Sequence, residues 1–397
     1  MRLDFDCLHE NFVYIDSDPA LASLCQRCQS LDYIMLDTEF VRTKTLYPLL
    51  GLVQIFDGEK IYLLDPKSVK NLSPLADLLT DKTVMKVIHS CSEDLDALKH
   101  NVGAYPTPLF DTQIAAGFLN IGNSIGYANL VEKICHVSLD KTESRTDWLA
   151  RPLRKEQLRY AAADVSYLYI VFENLFEQAK QNNLIDAILS ESEGMIKKKQ
   201  CAIPNDDAYM NVGNNWKLNG KQLLALKLLA QWRLEKAQES NTSINFIMRE
   251  NCMFEIAMRL PQSPNALSRI HGITPKQLRV YGQLILDMIA QLETAEEHTY
   301  PHRIERLIEF PKYKKAVSEL KKTITDVSSS TGIPEPMIAS KKQINDLLKW
   351  CWFANCDFEK RGIKPDLLMG WRRTLLLDKI RPIFDSNEGE FNALRSL

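Results

Sequence analysis

Near residue 200 the hydrophobic pattern of this chain changes period, and that change limits the folds open to it more than any other feature. Before it, short apolar runs alternate with helical stretches. DYIMLDTEF (32–40) reads as a strand. LVQIFDG and KIYLLD follow at hairpin spacing, with Asp57-Gly58 as the turn signal. VMKVIHS (84–90) is another buried strand, and EDLDALKH (93–100) opens a helix behind Ser92 as N-cap. Helical patterns then take over in DTQIAAGFL, YANLVEKIC and the long segment from about 155 to 182. A meander followed by strand–helix units predicts an α/β mixed sheet flanked by helices over residues 1–195. The polar, Pro- and Gly-punctuated KKKQCAIPNDDAYMNVGNN reads as a linker, placed at 196–210. Beyond it the apolar spacing is helical throughout. A weak boundary at AEEHTYPHR divides this part into two small all-α bundles, 211–293 and 300–385, that look like a diverged repeat.

At 397 residues the chain exceeds one ordinary domain, and a front domain of this size can bury a core without disulfides or structural metal. No run of eighteen apolar residues occurs, and the acidic start MRLDFDCLHE lacks the apolar core of a leader. The expected location is the cytoplasm, with no membrane association. Nine scattered cysteines argue against a disulfide framework. Cys25 and Cys28 form a C-x-x-C without a second metal-ligand pair, and their spacing places two thiols on one helix face. The net charge of −2 conceals a gradient. Residues 1–210 hold 21 basic against 30 acidic side chains, 211–293 hold 10 against 6, and 294–397 hold 18 against 15. An acidic front and a basic rear suit a metal-binding domain joined to modules that touch polyanions.

Three segments carry chemistry. In LDTEF, Asp37 and Glu39 stand two apart, so on a strand both carboxylates share a face. Two like charges beside Ile34, Met35 and Leu36 repel unless a cation lies between them. Hard divalent ions such as Mg²⁺ or Mn²⁺ match such oxygens. Taken alone, the same pattern also fits a strand-end turn with solvated acids. In HSCSEDLDALKH, Asp94 begins a helix after a buried strand, where sites gather in α/β sheets. An acid favoured by the helix dipole explains it equally well, and Glu93, Asp96 and His89 compete with it. In LRYAAADVSYLY, Tyr160 and Asp164 are four apart and share a helix face. An aspartate on an Ala-rich buried face is costly unless it is paired or metal-bound, whereas on a surface the pair would need no function.

In order and spacing, LDTEF, HSCSEDL and YAAADVSYL resemble the three motifs of the DEDD exonuclease superfamily, and Tyr160 places the resemblance in its tyrosine branch. The stretch SRTDWLARPLRKEQLRYAAADV (144–165) is similar to the ribonuclease D family, and the rear resembles that family's HRDC modules in two copies. The resemblance implies an RNase H-like sheet and hydrolysis of phosphodiesters from the 3′ end by two divalent ions, Mg²⁺ or Mn²⁺. It implies metal ligation by Asp37, Glu39, Asp94 and Asp164, with Asp37 bridging, Glu39 and Asp164 completing the first site and Asp94 supporting the second. Tyr160 would orient the attacking water, because a phenol of ordinary pKa about 10 is a poor base near neutrality. Asp37→Ala is expected to abolish cleavage and Tyr160→Phe to reduce it strongly. The implied partner is structured RNA, tRNA precursors above all, with no small-molecule cofactor; the sequence leaves the oligomeric state open, with a monomer favoured.

Candidate RNA contacts are Phe40 for stacking on a terminal base, Arg145, Arg151 and Arg154 beside the site, and Lys217, Lys221, Lys227, Arg233, Arg269, Lys276 and Arg279 in the first bundle. For each, core packing or ordinary surface charge is the plain alternative. Trp350, Trp352 and Trp371 of the second bundle read as core. Deleting 211–397 is expected to weaken RNA binding and flatten its salt dependence. Two rival functions remain: a DNA 3′→5′ exonuclease, which the same metal site permits, and a non-catalytic RNA-binding scaffold.

Overall fold

The computed structural model describes residues 9–140, 142–353 and 356–385. The first residues of MRLDFDCLHE, including Cys7, lie outside them. A six-stranded sheet, ordered β1-β4-β3-β2-β5-β6, forms the front domain. Its strands are β1 (Phe12–Ile15), β2 (Tyr33–Val41), β3 (Leu49–Phe56), β4 (Ile61–Leu64), β5 (Met85–Ile88) and β6 (Leu109–Asp111). The β2–β3–β4 meander is antiparallel, while β1, β5 and β6 join in parallel. Both edge strands escape the sequence reading because they are only four and three residues long. Lys86, fully buried on β5, donates to the carbonyls of Asp81, Val84 and Thr107 at 2.7 Å each, which satisfies all three of its protons and ties the β6 edge in place.

Helices α1 (Asp18–Cys28), α2 (Ser73–Thr80) and α3 (Ser92–Val102) cover one face. The other face carries α4 (Thr112–Phe118), α5 (Tyr127–Cys135) and the long α6 (Lys155–Gln181). Alternation along β2 and β3 sorts residues between the two cores. Ile34, Leu36, Val53 and Ile55 meet α1–α3, and Met35, Leu52 and Phe56 meet α6. Cys25 and Cys28 are buried on α1, and burial pushes both thiols up to about 12, the wrong direction for a thiolate ligand.

The stretch expected to be a linker is ordered. Helix α7 (Ile185–Gln200) runs into it, and a 3-10 turn at Asn205–Asn211 follows. Tyr209 and Val212 are buried in the first bundle's core, so the polar texture hides two anchors. That bundle comprises α8 (Gly220–Glu239), α9 (Ile244–Ile247), α10 (Glu250–Arg259), α11 (Pro264–Ser268) and α12 (Pro275–Gln291). The second comprises α13 (Tyr313–Thr331), α14 (Glu335–Ile338), α15 (Lys341–Trp352), α16 (Asp357–Lys360) and α17 (Gly370–Asp385). Both run long helix, one-turn helix, long helix, one-turn helix, long helix, which is the repeat expected from sequence. Trp350 and Trp352 are buried, and Trp371 packs edge-on against Phe118 of α4.

Candidate active site

Asp37 and Glu39 lie on β2, on the face toward α6, and Asp164 comes down from α6 to meet them. One oxygen from each of the three carboxylates falls within 4.8 Å of the others. A β-bulge locates Glu39. It pairs with Leu52 while Phe40 pairs with Leu50, which leaves Gly51 as the extra residue on β3. Gly51 admits a close neighbour there. A Cβ at this position would stand 2.6 Å from the Trp148 carbonyl oxygen and 2.9 Å from its Cβ, so no larger residue fits.

Asp94 arrives on the first turn of α3, from the other face, and receives the Thr38 hydroxyl at 2.5 Å. Ser92 was expected to cap this helix, but the N-cap is Cys91, which makes no side-chain cap. The turn is held from β6 instead. The Asp111 carboxylate accepts from the backbone N–H groups of Ser90 and Cys91 at 3.0 Å each and caps α4 through Gln113 at 2.8 Å. Thr38 and Asp111 are thus positioning groups that the motif reading passed over. The middle residue of D-T-E and the Asp of DTQI, in N-cap position, were the available signals.

The electrostatics are those of a cation site. Burial, then the charges of Asp94 and Asp164, push Asp37 well above the usual carboxylate range. Burial, then the charges of Asp37, Asp164 and Asp94, raise Glu39 to about 10. Burial raises Asp94 to about 6 against the opposing Thr38 hydrogen bond, and Asp164 to about 7 against that of Tyr160. Among the described residues no lysine or arginine figures in these influences, and the acids fit a bound divalent ion. Tyr160 lies against Asp164, and burial followed by the nearby carboxylates lifts its phenol far above 10. It therefore holds its proton at neutral pH. Tyr127, from α5, donates its hydroxyl to the Asp164 carbonyl and fixes the helix turn that presents the Asp164 carboxylate. His89 bonds Thr112 Oγ1 at 2.9 Å and packs on the Tyr127 ring, so its place is structural.

The expected RNA contacts fare differently. Arg151 is fully committed. Its Nε and Nη2 hold Asp65 at 2.7 and 2.6 Å, and its other donors reach the carbonyls of Gly51, Trp148 and Ala150. It clamps the Trp148 loop to β3 and leaves no donor for a phosphate. Phe40 is half-buried in the core on the opposite face from Asp37 and Glu39. Arg154 pairs with Glu143, Lys221 with Glu293 at 3.1 Å and Lys227 with Asp206 at 3.6 Å. Arg233 turns inward to the Met248 carbonyl, and Lys217 lies over the Trp216 ring. Arg145, Arg269, Lys276 and Arg279 are exposed.

A mixed sheet bearing clustered carboxylates on a central strand and a following helix defines a metal-dependent nuclease of the 3′–5′ exonuclease class. The 3′–5′ exonuclease family model matches residues 12–180, the HRDC domain model 222–289, and the C-terminal HRDC domain of ribonuclease D 311–380. Ribonuclease D of Musicola paradisiaca is 40% identical over 94% of this chain and 98% of its own. That of Escherichia coli is 40% identical over 93% and 97%. The crystal structure of Escherichia coli RNase D, described as an exoribonuclease involved in structured RNA processing, superposes with a TM-score of 0.90 at 39% identity, covering 95% of this chain and 99% of that one. The catalytic core of RRP6 from Trypanosoma brucei shares the fold, with a TM-score of 0.56 at 23% identity over 71% of this chain and 79% of its own. The chain belongs to the ribonuclease D family of 3′→5′ exoribonucleases. Among the described residues no helix is long and apolar enough to cross a membrane.

Proposed function

We propose that this enzyme trims the 3′ ends of structured RNAs, tRNA precursors among them, and releases nucleoside 5′-monophosphates. The observation that carries the reading is the meeting of Asp37, Glu39 and Asp164 within 4.8 Å. Asp37, Glu39, Asp94 and Asp164 would together hold two divalent ions, Mg²⁺ or Mn²⁺. When bound, such a pair lowers the pKa of water toward about 7 and stabilises the departing 3′ oxygen. Asp37, whose charge neighbours are Asp94 and Asp164, would be the ligand that the two ions share. Asp94 stands outside the group of three and, held in orientation by Thr38, would support the second ion. Tyr160 keeps its proton and uses its hydroxyl to orient the attacking water rather than to accept a proton.

The domain division we infer is catalysis in 1–195, a connecting segment over 196–210, and two RNA-holding modules at 211–293 and 300–385. The exposed Arg269, Lys276 and Arg279 of the first module supply phosphate contacts, and Arg145 does so beside the site. We place the enzyme in the cytoplasm as a monomer; the eight described cysteines, all unpaired, fit a reducing compartment.

The test is a time course on a 3′-extended tRNA and on matched RNA and DNA oligonucleotides, with Mg²⁺, Mn²⁺ or EDTA. Mononucleotide release from RNA that stops in EDTA supports the reading. Equal or faster release from DNA makes it a DNA exonuclease, and no release from either substrate leaves an RNA-binding scaffold.

A further inference from the structure

One buried amide beside the acids has no partner. Gln54 on β3 is fully inaccessible, and neither its Oε1 nor its Nε2 makes a hydrogen bond. Burying an amide unsatisfied costs stability that an apolar residue of the same shape would not lose. A core β-strand otherwise built of Leu, Val, Ile, Phe and the bulge glycine Gly51 has no structural need for it.

Register shows what the amide faces. Gln54 is the direct cross-strand partner of Asp37. Partners in an antiparallel pair share a face, with Cβ atoms about 4.5–5.5 Å apart. Leu52 and Phe56, two residues to either side, pack in the core under α6, whereas Val53 and Ile55 pack in the opposite one. Gln54 therefore lies beneath the helix that carries Tyr160 and Asp164, next to the carboxylate expected to bridge the cations. An ionised carboxylate offers about four lone-pair positions, and cation bridging leaves some of them seeking donors.

We propose that Gln54 is a positioning residue whose amide N–H holds the Asp37 carboxylate in its metal-bridging orientation, a contact that forms when the cations bind. The inference rests on the metal-site reading above. It predicts an exchange: without metal the amide is a burden, and with metal it is a support. Outer-shell partners of this kind typically contribute about 10–100-fold to metal affinity.

The experiment is a Mn²⁺ titration of EDTA-stripped full chain, followed by electron paramagnetic resonance, with melting temperatures measured in EDTA. Gln54→Leu and the unbranched Gln54→Met are compared with wild type, so one ill-packed variant does not decide the outcome. The expected result is Mn²⁺ binding weakened roughly 10–100-fold in both variants, with melting in EDTA at or above the wild-type temperature. Wild-type Mn²⁺ affinity in both variants overturns the proposal while the metal site stands. Lowered melting of both variants in EDTA also overturns it, because the amide would then already be satisfied, for example by a buried water. A wild-type chain that binds no Mn²⁺ removes the metal site and the role of Gln54 together.

Discussion

The two helical bundles share one plan and couple to the catalytic domain in opposite ways. The second is fused to it. Leu320, Leu347, Leu348 and Leu376 belong to the same continuous core as Met35, Leu52 and Phe172 of the sheet and its helix. Arg372, 5% exposed, donates to the Glu191 carboxylate on α7 and to the carbonyls of Met337 and Ile338 at 2.8 Å each. Arg361 reaches the carbonyls of Lys198 and Cys201 at 2.6 Å. The first bundle has a core of its own. Between it and the catalytic domain runs a hydrogen-bonded turn, Ser243 to the Lys44 carbonyl at 2.8 Å and Tyr47 to Asn241 Oδ1 at 3.0 Å. That turn lies just past the end of β2, the strand that carries Asp37 and Glu39. One copy of the repeat has become a buttress. The other keeps its basic face in solvent and its hold on the site loop polar.

The largest expected effect comes from removing the buttress. Deletion of 300–397 uncovers the shared apolar core, so the remaining chain should aggregate or lose its cooperative melt. A deletion of 211–397, meant to isolate RNA binding, would carry the same damage. A truncated chain that melts cooperatively at the wild-type temperature would break the comparison. Next is Arg372→Ala, which leaves the partly exposed Glu191 carboxylate only the Trp371 Nε1 donor at 3.2 Å and frees the Met337 and Ile338 carbonyls, and should cost about 2–4 kcal/mol, measured by denaturant unfolding. A loss below about 1 kcal/mol would place the pair among surface contacts.

The acids give an intermediate effect. Asp94 and Asp164 are raised to about 6 and 7, so the folded, metal-free chain keeps protons that the unfolded chain releases above about 4. Stability in EDTA should therefore fall as pH rises from about 4 through 7, and saturating Mg²⁺ should reverse the trend. Melting in EDTA that is flat or rises over that window would contradict the shifts. The smallest effect on folding, within about 0.5 kcal/mol, belongs to Arg269→Gln, Lys276→Gln and Arg279→Gln in the first bundle. For every one of these side chains that does bind a phosphate, its replacement should flatten the salt slope of RNA binding by about 0.7–0.9. An unchanged slope in the triple variant would remove these residues from the RNA path.

The difference between the bundles also marks where sequence reasoning reached and where it stopped. Helical period showed both bundles, because apolar spacing depends on the helix alone. It could not show which one shares a core, since Leu320 and Leu226 look the same in a sequence while burying against different partners. The acids were legible because D-x-E on a strand and Y-x-x-x-D on a helix fix a common face before any tertiary contact forms. Arg151 was misjudged as a phosphate ligand because its commitments to Asp65 and Gly51 span 86 and 100 residues. Gln54, Thr38 and Asp111 acquire meaning only through register and through loops closed at a distance. The connecting segment is more ordered than its polar texture suggests, because Tyr209 and, just past it, Val212 are single anchors without a period.

The central claim is that four carboxylates act as one cation cradle, and Asp37→Ala tests it most directly. On a 3′-extended RNA at saturating Mg²⁺, single-turnover release of the terminal nucleotide should fall by at least about a thousandfold, more than about 4 kcal/mol of transition-state stabilisation, with RNA affinity and melting in EDTA preserved. Release at the wild-type rate from that variant would contradict the account.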